Sequence, residues 1–200
     1  MTDQSRPYRM KRRAQSQQRT RLRITESAVE LHGTLGPART SMSAVAERAG
    51  VRRSTLYRHF PDEAALFDAC SAHWSTANPP PDLAAWSVVE DPDERLTRGL
   101  AELYSFYGRS EAMLENLFRD ERTVPVVGER FAAFRGDLAL AQDTMTAGRR
   151  LRGAAKPRTR AVVGHAIAFS TWSSLVREQG LDDATAVALM RALVVAAARR

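Results

Sequence analysis

The stretch Ser41–Phe60, SMSAVAERAGVRRSTLYRHF, predicts two short helices around a tight corner. Ser41 can cap the first, because its hydroxyl can accept one of the free N–H groups of the opening turn. Val45, Ala46 and Ala49 then fall at helical spacing on one face. Gly50 is the corner, since a helix commonly ends on a residue in the left-handed conformation and glycine adopts it without steric cost. Val51 returns to the core, and a second helix starts at Arg53. On it Leu56 and Phe60, four apart, face inward, leaving Arg53, Ser54, Tyr57 and Arg58 outside. Two short helices, a glycine turn and a cationic outer face on the second describe a helix-turn-helix that places its recognition helix in the major groove of DNA.

Ala49-Gly50-Val51 followed by Thr55-Leu56-Tyr57-Arg58-His59-Phe60-Pro61 resembles the signature of the tetracycline-repressor (TetR) family of bacterial transcription regulators. Upstream, Ile24, Ala28, Leu31 and Gly36 fall, without a gap, where that family's first helix has its core residues and terminal glycine. The resemblance extends over residues 20–70; the rest is similar to the family in length and helical character. It implies a ligand-responsive regulator. Tyr57 and His59 match the family's phosphate-contacting positions, and Met42 and Ser43 its approach to the backbone at the start of the second helix. Two positions depart from the pattern. Arg52 stands where the family usually has a capping Ser, and Glu63 where it usually has a Lys aimed at a phosphate.

The residues themselves support base and phosphate contact. A guanidinium fork matches O6 and N7 of guanine, which suits Arg52 and Arg53. Ser54 and Thr55 are short donors for phosphates or base edges, and Arg58 adds a third cation. The competing reading is a solvated face for the arginines and intramolecular packing for Tyr57 and His59. Charge distribution favours the first. The chain of 200 residues has a net charge of +7. Residues 1–60 hold 13 Lys or Arg against 4 Asp or Glu, a net +9, whereas residues 61–200 hold 17 against 19, a net −2. A basic excess confined to the helix-turn-helix segment is the footprint of a polyanion partner.

Residues 1–16 are basic (Arg6, Arg9, Lys11, Arg12, Arg13) and lack apolar periodicity, so they read as a disordered arm, either solvated or lying on DNA. The domain expected over residues 17–76 holds a first helix from about Gln17 to Leu35 that stops at Gly36-Pro37, the two helices of the motif, and a fourth helix. That fourth helix is capped by Asp62 and buries Leu66, Cys70 and Trp74. Asn78-Pro79-Pro80-Pro81 cannot continue a helix and marks the boundary. Residues 82–200 read as helices only, giving an all-α chain with an N-terminal helix-turn-helix domain and a C-terminal helical ligand-binding and dimerisation bundle. Asp91-Pro92-Asp93-Glu94 is a helix start, with Leu96, Leu100, Leu103 and Tyr107 on one stripe. Ser110 restarts a shorter helix, and from Pro125 a longer one carries Val127, Phe131, Phe134, Leu138, Ala141 and Met145, ending in Arg149, Arg150 and Arg152. There the cations suit the negative end of the helix dipole. Residues 158–178 mix apolar and small side chains, and residues 183–198, after an Asp182 cap, are apolar nearly all round. A helix apolar on all sides must be covered on all sides. A homodimer through residues 158–198 supplies that cover.

Catalytic chemistry finds little here. The histidines (His32, His59, His73, His165) show no metal-ligand spacing, and neither a phosphate loop nor a nucleophile motif is present, so no catalytic residue, metal or cofactor is expected. The single cysteine, Cys70, excludes an internal disulfide and fits a reducing compartment. With no apolar stretch of membrane-spanning length, a cytoplasmic protein is expected. Tyr104, Tyr107, Met113, Phe118, Phe131, Phe134, Met145, His165, Phe169 and Trp172 are candidates to line a site for an apolar or aromatic effector, though such residues also pack as ordinary core. The expected function is a homodimeric, ligand-responsive regulator, a repressor bound to a palindromic double-stranded DNA operator. The alternative is a helical small-molecule-binding protein or enzyme with a vestigial DNA-binding domain.

Overall fold

The computed structural model describes residues 5–199; residues 1–4 of the expected arm and Arg200 lie outside it. Among the described residues every regular element is helical. The α-helices are α1 (Ser5–Thr34), α2 (Met42–Arg48), α3 (Arg53–His59), α4 (Glu63–Ala77), α5 (Leu83–Ser87), α6 (Pro92–Asp120), α7 (Pro125–Thr146), α8 (Ala155–Ala166), α9 (Phe169–Ser173) and α10 (Asp183–Ala198), with a 3-10 turn at Pro37–Arg39 and a π-helical turn at Ser174–Glu178. The chain divides into two compact units. Among the described residues, one comprises 5–77 with 112–129 and the other 78–111 with 130–199. The division at residue 77 coincides with the end of α4, just before the proline run. Residues 112–129, which the sequence places in the second domain, count with the first unit.

In the first unit Ile24, Ala28, Val45, Ala46, Ala49, Leu56, Phe60, Leu66, Phe67 and Cys70 form a closed apolar core, joined by Met42 and Val127. Trp74, expected in this core, is only half-buried. The first helix begins earlier than its apolar periodicity suggests, and residues 5–16 are its opening turns instead of an irregular arm. Arg, Gln, Lys, Met and Ala are all good helix formers, so propensity extends the helix where no core face demands it. At its other end α1 stops at Gly36, which has φ of +90°. The carbonyls left free there are taken by the last turns of α6. Asn116 Nδ2 donates to the carbonyls of His32 at 3.0 Å and Gly33 at 2.8 Å, and Arg119 Nη2 donates to that of Leu35 at 2.9 Å. Asp120 Oδ2 accepts from the Ala38 amide at 3.0 Å, just after the bend. Burial opposes ionisation of Asp120, but the Arg119 and Ala38 hydrogen bonds outweigh it and hold the carboxyl below its ordinary pKa.

In the second unit α6 begins as the sequence predicts, with Asp91 Oδ1 accepting from the amides of Asp93 and Glu94 at 2.9 and 2.7 Å. It does not stop near Ser110, as expected. It runs unbroken for 29 residues, and Ser110 is buried within it. Ser is only mildly unfavourable inside a helix, and the buried apolar residues on either side, Tyr107 and Leu114 among them, carry the helix through it. Arg95, buried, donates to the carbonyls of Val89, Glu90, Thr144 and Ala147, joining the loop before α6 to the end of α7. Arg149 pairs with Asp93 at 2.7 Å, so this member of the Arg cluster has a structural role.

The single helix expected over residues 158–178 is instead α8, a break, α9 and a π-helical turn at Ser174–Glu178. Ala168 is extended at the break. Tyr104 donates its hydroxyl to the Ala166 carbonyl at 2.8 Å, and Tyr107 to that of Ile167 at 2.6 Å. Two carbonyls at the interruption are thus satisfied by partners more than fifty residues away. α10 carries its predicted Asp182 cap, 2.7 Å from the Thr185 amide. Its Val187, Met190 and Val194 are buried within the unit, whereas Leu189 and Leu193 are about two-fifths exposed.

Candidate nucleic-acid interface

The corner of the motif forms as its residues dictate. Ser41 Oγ accepts from the Ala44 amide at 3.1 Å and caps α2; such a cap stabilises a helix by about 1 kcal/mol. α2 ends with paired hydrogen bonds, Val51 N to the Ala46 carbonyl and Gly50 N to that of Glu47, both 3.0 Å. Gly50 between them has φ of +61°. This is the helix ending in which a left-handed residue lets the chain turn back on itself. Arg52 occupies the cap position of α3 and makes no side-chain cap, so the guanidinium is free for another partner.

α3 buries Leu56, and Phe60 just beyond it, completely. Arg52, Arg53, Ser54, Tyr57 and Arg58 are exposed, with Thr55 half-buried. Arg53 lies 5.9 Å over the Tyr57 ring. Among the described residues none of Arg52, Arg53 and Arg58 closes on a carboxylate. Three unneutralised cations and three hydroxyls on one short helix and its cap leave that surface ready for an anionic, hydrogen-bond-accepting partner.

The other sequence-derived positions separate. Ser43 is exposed beside the corner, whereas the Met42 side chain is buried in the core, leaving only its backbone for any contact. His59 is half-buried, and its Nε2 is enclosed without a hydrogen-bond partner. Burial first, then the cations Arg58 and Arg21, push its pKa below the ordinary value, so the ring is neutral at pH 7. Tyr57 therefore faces outward and His59 largely does not. Glu63 is exposed in the first turn of α4, next to Asp62, whose Oδ1 caps the helix at the Ala65 amide, 2.8 Å away.

Arg21 is a contributor that the sequence reading passes over. From α1 it donates to the His59 carbonyl at 2.6 Å and lies 4.1 Å above the Phe60 ring. It thereby satisfies a carbonyl at the end of the recognition helix and fixes that helix against α1. Its place three residues before the core residue Ile24 gave no signal, because its partner is 38 residues distant in sequence.

The ten candidate effector residues do not gather as one set. Tyr104, Tyr107, Phe169 and Trp172 form a ring cluster, with Tyr107–Phe169 centroids 5.3 Å apart and edge-on and Phe169–Trp172 centroids 5.4 Å apart. Trp172 Nε1 donates to Asp183 at 3.0 Å. Met145 and Phe131 are buried, Phe134 is half-buried, and His165 is exposed near the Thr171 hydroxyl. Met113 and Phe118 belong to the other compact unit. A separate open groove of about 830 Å³ lies between α6 and α10, floored by Ala101, Ala184, Val187 and Ala188. No three His, Cys, Asp or Glu side chains among the described residues form a set that could hold a metal ion. Nor is any described helix long and apolar enough to cross a membrane.

A capped α2, a glycine corner and an α3 with an unneutralised cationic face define a helix-turn-helix DNA-binding domain. Residues 24–70 match the family of bacterial regulatory proteins described as the tetR family. A TetR-like transcriptional regulator from Rhodococcus sp. RHA1 is similar in structure, with a TM-score of 0.62 at 20% identity, over 88% of this chain and 93% of that one. A candidate fatty acid metabolism regulator of Clostridium perfringens superposes with a TM-score of 0.64 at 15% identity, over 89% and 99%. The multidrug-binding protein EbrR, solved with imidazole, gives 0.54 at 22%, over 86% and 93%. Comparison with curated proteins gives no match. Residues 24–70 thus carry a DNA-binding domain of the tetR kind, and the chain as a whole shares the fold of these solved regulators.

Proposed function

We propose that the protein acts as a homodimeric repressor that holds two half-sites of a near-palindromic operator and is released by a small apolar or aromatic effector. The observation that carries DNA binding is the outer face of α3, where Arg52, Arg53 and Arg58 have no carboxylate partner among the described residues. Dimerisation is supported by α10, whose Thr185, Leu189, Ala192, Leu193 and Ala196 are exposed on one helical stripe. Two exposed leucines on a helix packed against α8 favour a second copy over solvent. α8 itself is tied to α10 by Arg158, which donates to the Ala197 carbonyl at 2.8 Å.

Release follows if the effector favours a dimer in which the recognition helices no longer match half-sites one helical turn, about 34–36 Å, apart. Nearly complete switching requires about 5 kcal/mol of preference for that state. The continuity of α6, which contributes to both compact units, offers the route. A mobility-shift titration on the DNA flanking its own gene, with and without ligand extracted from the purified protein, tests the reading. Retention at every ligand concentration would leave a constitutive regulator. The alternative, an enzyme or binding protein with a vestigial DNA-binding domain, is disfavoured because the α3 cations are kept without a carboxylate partner.

A further inference from the structure

Between Asp3 and Glu26 the sequence holds eight Lys or Arg and no carboxylate. In the fold these residues lie on a helix that outruns its domain. α1 holds the end of the recognition helix through Arg21, and among the described residues its first fully buried side chain is Ile24. Before them Tyr8, Met10, Lys11, Arg12, Arg13 and Arg19 are all exposed. None of the four cations has a carboxylate partner among the described residues; Arg12 rests 5.8 Å over the Tyr8 ring. At 1.5 Å per residue, the helix from Arg21 back to Tyr8 is about 20 Å long.

Such a segment has no reason in the core to be helical, and its charges repel one another. Isolated helices of this length are marginal in water, and like charges three or four apart weaken them further. An anionic surface offsets that repulsion. The nearest one follows from the recognition helix. Arg21 holds the His59 carbonyl, so the segment departs from the end of α3. With α3 in a major groove about 12 Å wide, a helix about 20 Å long reaches beyond the base pairs that α3 covers. We propose that residues 8–19 of α1 form a second DNA-binding element, which contacts phosphates of the duplex flanking each half-site through Lys11, Arg12, Arg13 and Arg19. This rests on the DNA-binding reading of α3 and adds binding that carries no base preference, since groups that grip phosphates position a protein without reading sequence.

The test uses the full chain and a variant with Lys11→Gln, Arg12→Gln and Arg13→Gln. Glutamine keeps helix propensity, and circular dichroism with a thermal melt checks that the variant is folded. The probe is a duplex selected by the wild type from a random library, used with eight flanking base pairs on each side and trimmed flush to the half-sites. On the long duplex the variant should bind more weakly, and its log–log salt slope should be shallower by about 0.9 for each phosphate it no longer neutralises. For three such phosphates per protomer, the affinity change between 50 and 200 mM salt should shrink by roughly 40-fold per protomer. On the trimmed duplex the two proteins should bind alike. Equal binding and equal slopes on the long duplex overturn the proposal while leaving α3 as the DNA reader. Equal DNA binding together with weakened binding only to phosphatidylglycerol vesicles overturns it in favour of a membrane surface. If the wild type selects no duplex, the DNA reading of α3 falls as well.

Discussion

At Glu63 two electrostatic effects of opposite sign meet. A carboxylate in the first turn of α4 opposes the positive end of the helix dipole, which stabilises a helix by about 0.3–1 kcal/mol at an exposed site. The same carboxylate repels any phosphate that this turn approaches. Glu63→Lys should therefore lower the melting temperature slightly, tighten binding to specific and random duplexes alike, and steepen the salt slope by about 0.9 for each phosphate newly engaged. An unchanged slope in a fluorescence titration would mean that α4 stands clear of the backbone. His32 gives a second prediction, in stability and not in binding. Burial lowers its pKa from 6.5 to about 4, against a smaller opposing effect of Asp120. The folded protein keeps the ring neutral while the unfolded chain takes up the proton near pH 6.5. The unfolded state thus binds more protons between these values, and the stability from His32 is complete above pH 6.5 and falls away as pH drops towards 4. The decrease between pH 7.5 and 4.5 should be about 2–3 kcal/mol. Urea unfolding of His32→Leu should show a pH dependence weaker by that amount; an equal dependence would assign the acid sensitivity to other groups.

The elements whose signals are local could be read directly from the chain. Ser41, Gly50, Asp62, Asp91 and Asp182 each act on residues within four positions, and the corner, the capped helix starts and the apolar stripe of α7 follow from signals of that range. Elements fixed at a distance could not be. The opening turns of α1 carry helix propensity but no periodicity, because no core packs on them. The break after α8 depends on Tyr104 and Tyr107, about sixty residues away. The last turns of α6 join the first unit through Asn116, Arg119 and Asp120, whose partners lie more than eighty residues earlier. Of the residues proposed to face DNA, those of α3 were legible because an exposed cation beside a buried apolar residue is a pattern within one helix. Met42 and His59 were not, since their burial depends on the helices packed around them. Asn116 provides the direct check on this distant element. Asn116→Ala removes two hydrogen bonds to the end of α1 and should cost about 1–3 kcal/mol in urea unfolding. A cost below about 0.5 kcal/mol, well under that range, would mean that water replaces the side chain there.

For the whole molecule, the dimer and the DNA surface make separable claims. Val194 is unsuitable for testing the dimer, since it is fully buried within its own unit and a charge there would disturb folding. Leu193, 44% exposed, is the position to change. Leu193→Glu should leave the melting transition cooperative and shift light scattering from dimer to monomer at micromolar concentration. An unchanged dimer would remove α10 from the interface. The central claim, that α3 with its unneutralised arginines is the DNA-reading surface, is tested most directly by titrating a selected duplex with wild type and with Arg53→Ala between 50 and 200 mM salt. The wild type should bind roughly a thousand-fold or more weakly at the upper end of that range, as a dimer neutralising about six to ten phosphates must. Arg53→Ala should cost about 1–3 kcal/mol and relax base preference at one position of each half-site. A flat salt response, with Arg53→Ala indistinguishable from wild type, would contradict it.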